Sequence, residues 1–105
     1  MGILNALFGG TNNEKLSKLV NEGAFLVDVR SPLEFAGGHV KGSVNIPLDQ
    51  LPNQLSKFKD KEQIVVFCRS GARSSQAKSF LNQNGFTNVT NGGTWQSINT
   101  IIDKK

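Results

Sequence analysis

Ile64-Val65-Val66-Phe67-Cys68-Arg69-Ser70-Gly71-Ala72-Arg73-Ser74 changes character at its cysteine. The apolar run Ile64–Phe67, rich in β-branched residues, predicts a strand buried on both faces, as in a parallel sheet. The polar residues after it lead into a helix over Gly71–Asn84, with Ala72, Ala77, Phe80 and Leu81 as its apolar stripe and Gly85 as its stop. A buried strand passing through a short loop into a helix is the start of a βα unit, and the flanking sequence repeats the theme. Phe25–Val29 predicts another strand buried on both faces, and Ser43–Ile46 a short one closed by Pro47. Thr87–Thr90 predicts a further strand, Asn91-Gly92-Gly93 a turn, and Trp95–Ile102 a last helix. Upstream, Glu14–Asn21 places Leu16, Leu19 and Val20 on one helical face before Gly23. Leu48–Phe58 also reads as helical, provided Pro52 falls in a first turn. Strands alternating with helices imply an open α/β sheet with right-handed crossovers, in which ligands gather beyond the carboxyl ends of the strands. Cys68 lies at such an end.

A length of 105 residues suits one domain, and neither repeats nor linkers divide it. The division expected is a short helix or tail over residues 1–11 and the folded domain over 12–105. In Met1–Gly10, Ile3, Leu4, Leu7 and Phe8 stand at helical spacing, which suits a short amphipathic helix docked on the body or touching a membrane surface; docking is the expectation. That stretch lacks a basic leader and a signal-length apolar core. A single cysteine forbids an internal disulfide and fits a reducing compartment, so a cytoplasmic location is expected. No Cys/His spacing suggests a metal, and no cofactor is indicated. The net charge of +4 comes from scattered lysines without a basic stripe, which argues against a nucleic-acid partner and is compatible with a small anionic substrate.

The residues after Cys68 suit an anionic sulfur. Only the thiolate attacks sulfur, and an ordinary cysteine, with a pKa of about 8.5, is mostly protonated at neutrality. A helix start offers unpaired backbone N–H groups and a partial positive charge. Arg69 and Arg73 add full charges, and Gly71 lets successive N–H groups converge. Ser70 and Ser74 either offer hydroxyl donors or cap the helix. A buried structural cysteine would not explain two arginines, two serines and a glycine in the next six positions. The reactive reading requires a sulfur that is ionised near neutrality and open to solvent.

With these residues in view, the chain resembles a rhodanese homology domain from about Asn12 to Ile102. Three blocks carry the resemblance. The first runs from Leu26-Val27-Asp28-Val29-Arg30 through Glu34-Phe35 to Gly38-His39-Val40-Lys41-Gly42-Ser43-Val44-Asn45-Ile46-Pro47. The second is the loop opened by Cys68, and the third is Gly85-Phe86 through Val89 with Asn91-Gly92-Gly93 and Trp95. The resemblance implies an α/β fold with an open parallel sheet of about five strands and helices on both faces. It also implies a sulfurtransferase in which Cys68 takes a sulfane sulfur from thiosulfate or a persulfide donor and passes it to cyanide, a thiol or a protein acceptor. Arg69, Ser70, Gly71, Ala72, Arg73 and Ser74 would form the substrate-binding loop. A persulfide carrier or redox-regulatory module working through a partner protein would need the same cysteine. Cysteine phosphatases on this fold resemble a roomier loop; here Arg73 follows Cys68 after only four intervening residues, which suits one extra sulfur atom better than a phosphoryl group.

Asp28, Arg30 and Glu34 are expected to support the site, with Arg30 and Glu34 as an ion pair and Asp28 tying down backbone at a strand end. His39, the only histidine, is left out of the chemistry, because an ionised thiol needs no base. Trp95 is expected to anchor the core under the site.

Overall fold

The computed structural model describes residues 11–104 of the chain. The expected helix or tail at Met1–Gly10 lies outside them. In chain order the elements are α1 (Thr11–Asn21), β1 (Phe25–Asp28), α2 (Pro32–Ala36), β2 (Val44–Asn45), β3 (Ile64–Cys68), α3 (Ala72–Gln83), β4 (Val89–Thr94) and α4 (Trp95–Asp103). All sheet pairings are parallel, in the order β2-β1-β3-β4. The α/β class and the parallel sheet agree with the sequence. The strand count does not: four strands form the sheet among the described residues, one fewer than the resemblance implied, and the apolar runs there are already used.

Alternation along β3 divides the core. Ile64, Val66 and Cys68 pack with Val27, Leu51, Phe58, Ala77 and Leu81 on the face covered by α3, while Val65 and Phe67 pack with Val20, Leu26, Val40 and Ile98 on the face covered by α1 and α4. Every residue of β3 is buried, as a central strand with helices on both faces requires. The expected helix over Leu48–Phe58 is instead two 3-10 turns, Leu48–Asn53 and Leu55–Phe58. Pro52 sits inside the first rather than at its start, where its missing N–H and its ring oppose a continuous α-helix.

The expected turn at Asn91-Gly92-Gly93 is also corrected. These residues continue β4, and the register jumps from Val66 opposite Asn91 to Phe67 opposite Gly93, leaving Gly92 as the extra residue of a bulge. A Cβ on Gly92 would lie 2.9 Å from Val65 Cγ1 and 3.0 Å from Ile98 Cδ1, so the bulge also lets α4 pack closely on the sheet. Gly92→Ala is therefore expected to destabilise the fold by about 1–3 kcal/mol through overpacking, read as a lower denaturation midpoint. An unchanged midpoint would show that the neighbouring side chains give way freely.

Candidate active site

Cys68 ends β3, and the chain then turns through Arg69-Ser70-Gly71 into α3. Gly71 makes that turn possible: it is the residue before the helix, with φ +97°, a left-handed conformation that side chains resist. Its N–H donates to Cys68 Sγ at 3.0 Å. One turn into α3, the Ser74 hydroxyl lies 3.5 Å from the same sulfur. Ser74 thus lies beside the cysteine without capping the helix, while Ser70 is exposed and accepts a long hydrogen bond from Ala72 N–H at 3.5 Å.

Burial pushes the Cys68 thiol up, but hydrogen bonds from the Ser74 hydroxyl and from the amides of Ser74, Gly71 and Ser70 oppose it. The net result lies below the ordinary thiol value. The amides expected at the helix start, joined by the Ser74 hydroxyl, thus oppose the burial. The expectation of a sulfur open to solvent is contradicted. Cys68 has 0% of its surface exposed, because it continues a strand buried on both faces and its loop folds back over it. The cover is thin, since Arg69, Ser70 and Ala72 are all exposed.

The carboxylates pair differently from the expectation. Arg30 does not pair with the Glu34 side chain; its Nε lies 2.9 Å from both oxygens of Asp28, and its Nη2 lies 2.7 Å from Oδ2. This pair is buried and well satisfied: Arg30 Nη2 also donates to Gly38 O at 2.8 Å, and Arg30 N–H to Asp28 Oδ1 at 3.0 Å. The last bond is the backbone tie expected of Asp28. The Arg30 guanidinium also stacks 4.7 Å from the ring centroid of Trp95, which is half-buried against the α1/α4 core. Glu34 is drawn elsewhere because Ser31 starts α2 with a capping box, in which Ser31 Oγ accepts from Glu34 N–H and Glu34 Oε1 accepts from Ser31 N–H. From there its carboxylate meets Arg73 in a two-pronged pair, at 2.7 and 3.0 Å. Arg73 thus binds Glu34 at rest, while its charge still feels that of Cys68. Arg69 is exposed at the loop's start. His39 is exposed, stacked on Phe35 with Nδ1 2.9 Å from Phe35 O, and takes no part in the cluster.

A strand-end cysteine held by the first turn of a helix in a parallel sheet is the arrangement that the resemblance implied, and the family comparison agrees: the rhodanese-like domain model matches residues 12–93. The chain belongs to the rhodanese-like domain family. It is 37% identical over 82 residues to a sulfurtransferase of Allochromatium vinosum, covering 76% of this chain and 77% of that one. It is 38% identical over 74 residues to the thiosulfate sulfurtransferase PspE of Escherichia coli, covering 69% and 71%. Among solved structures, the human single-domain sulfurtransferase superposes with a TM-score of 0.70, at 30% identity over 88% of this chain and 93% of that one.

Asn91 escaped the sequence reading of this rhodanese-like domain. Its side chain bonds to Ser74, Gly71 and Gly93, and so reaches the cysteine loop from β4. The bulge hides this in the sequence, where Asn-Gly-Gly reads as a turn.

Glu34 is held down from 4.5 to about 2, chiefly by the Arg73 guanidinium and next by the Ser31 amide, against a smaller opposing effect of burial. Its folded value is lowered, so its stabilisation is fully present above 4.5 and is lost as pH falls toward 2. The Arg73 and Glu34 side chains are 36% and 31% exposed, so solvent screens the pair. Glu34→Gln, which keeps the cap acceptor, is expected to cost less than about 1 kcal/mol at neutral pH. In thermal unfolding, the gap between the two proteins should close as pH falls from 4.5 to 2. A gap that persists unchanged through that range would contradict the ionised pair.

Proposed function

We propose that this rhodanese-like domain is a sulfurtransferase in which Cys68 carries a sulfane sulfur as a persulfide. The observation that carries the proposal is the Gly71 N–H aimed at Cys68 Sγ from 3.0 Å at the start of α3, with Ser74 beside it. These donors favour sulfur as an anion, both in the thiolate that attacks and in the persulfide that results. The thiolate attacks the outer sulfur of thiosulfate; the new S–S bond forms as the old one breaks, and sulfite leaves with its electron pair. The Cys68 persulfide anion then gives its terminal sulfur to cyanide or a thiol, and the thiolate returns. The names of its relatives support this donor, and the lone cysteine supports a reducing, cytoplasmic setting.

The donor must reach a covered atom, so movement of the exposed Arg69 and Ser70 belongs to the cycle, with the Gly71 N–H staying on the sulfur. Arg69 and Arg73 supply the positive charge that a dianion needs beside a thiolate, Arg73 by exchanging Glu34 for the donor. Asp28, Arg30 and Glu34 brace the walls. The covered sulfur also favours a second reading: a persulfide carrier within residues 12–105, which loads readily but releases sulfur only to a protein partner.

Steady-state transfer from thiosulfate to cyanide should give the parallel double-reciprocal lines of a ping-pong reaction. Cys68→Ser should abolish it, and Arg73→Ala should lower kcat/KM by about a hundredfold, the loss typical of one transition-state donor. Transfer retained by Cys68→Ser would refute both readings, while rapid loading with turnover only on adding one protein acceptor would select the carrier.

A further inference from the structure

Asn91 stands on β4 just before the bulge, opposite Val66. Its amide orientation is settled by its neighbours: Oδ1 accepts from Gly93 N–H at 2.9 Å, and Nδ2 donates to Gly71 O at 3.3 Å. A flipped amide would set donor against donor and acceptor against acceptor. The same Oδ1 lies 2.7 Å from Ser74 Oγ. Ser74 Oγ in turn lies 3.1 Å from Gly71 O and 3.5 Å from Cys68 Sγ. Ser74 is buried, so no water takes over these bonds from the open side.

A serine hydroxyl has one proton to give and lone pairs with which to accept. While the sulfur is a thiol, its S–H can donate to Ser74 Oγ, and Ser74 can donate over the short distance to Asn91. A thiolate has no proton and can only accept, so it needs the Ser74 proton for itself. We propose that Asn91 is a positioning residue that competes with the Cys68 sulfur for the single Ser74 hydroxyl proton. A stronger acceptor at position 91 keeps the proton from the sulfur and disfavours the thiolate. Loss of the acceptor leaves only the Gly71 carbonyl, 3.1 Å away, to share the proton with the sulfur, and so favours the thiolate.

Other charges act on the same sulfur and are distinct from this hydroxyl. Arg69 and Arg73 come from its own loop and helix, the Asp28–Arg30 pair from β1 and its end, and Glu34, paired with Arg73, from α2. The first 3-10 turn adds only the exposed Asp49, and β4 carries no charged residue.

The inference rests on Cys68 working as a thiolate, so its test reads ionisation rather than sulfur transfer. Cys68 is the only cysteine and the chain has no tyrosine, so the ultraviolet absorbance of the thiolate can be titrated on the full chain without overlap from tyrosinate. Asn91→Asp is expected to raise the midpoint and Asn91→Ala to lower it, each by about one pH unit, a tenfold change in the thiolate-to-thiol ratio. The Asn91→Ala shift should shrink to less than half when introduced on Ser74→Ala, since the hydroxyl carries that coupling, and the Asn91→Asp shift should shrink to what its charge exerts directly through space. Shifts of equal size in both backgrounds, shifts of the same sign for both substitutions, or no shift at all would overturn the proposal. An unsubstituted midpoint at or above that of an ordinary thiol would instead count against the sulfur-transfer reading, while coupling between positions 74 and 91 would still decide this one.

Discussion

The hydrogen bond from Gly71 N–H to Cys68 Sγ joins the end of the central strand to the start of a helix. Several demands meet on that contact. The strand must be buried on both faces to bring the cysteine into the core, and Gly71 must adopt a left-handed conformation to turn its amide back. Helix α3 must start at once, so that Ser74, one turn on, also meets the sulfur. Burial alone would push this thiol up; the donors arranged around it more than offset that and bring it below its ordinary value. The result is a sulfur that is both covered and disposed to ionise, a combination an inert core cysteine does not need.

Two carboxylate–arginine pairs hold the surroundings in place. Asp28 and Arg30 are buried, and the guanidinium reaches Gly38 O and the Trp95 ring, fixing the end of β1 against the chain that returns to β2. Removing one partner would strand a buried charge, the costly way to break such a pair. Glu34 and Arg73 form a more exposed link between α2 and α3. That exposure suits a contact that opens and re-forms, because solvent can replace either partner at low cost. A buried pair thus lies beneath the cysteine loop and a more exposed one at its rim.

Much of this was legible in the sequence. The run Ile64–Phe67 and the polar, glycine-containing stretch after Cys68 predict the strand–loop–helix junction directly, because burial and turning impose opposite compositions there. The same strand also carried a warning: if it is buried on both faces, the cysteine that ends it inherits the burial. The pairing of Arg30 was less accessible, since it depends on where α2 begins. Ser31-Pro32-Leu33-Glu34 has the pattern of a capping box with proline in the first turn, and reading it would have turned Glu34 away from Arg30. The role of Asn91 was hidden more deeply. Asn-Gly-Gly is a turn by local preference, and only pairing with β3 converts it into a bulged strand that faces α3. Likewise Pro52 pointed to a helix start by local rules, yet the packed segment stays in 3-10 turns around it.

The central claim is that a single ionised sulfur, Cys68, accepts and holds one further sulfur atom. Intact-mass spectrometry of the protein after brief exposure to thiosulfate tests it most directly. The account predicts a gain of about 32 Da that is absent in Cys68→Ser and is removed by cyanide or a reductant. An unchanged mass, or a gain that survives loss of the cysteine, would contradict it.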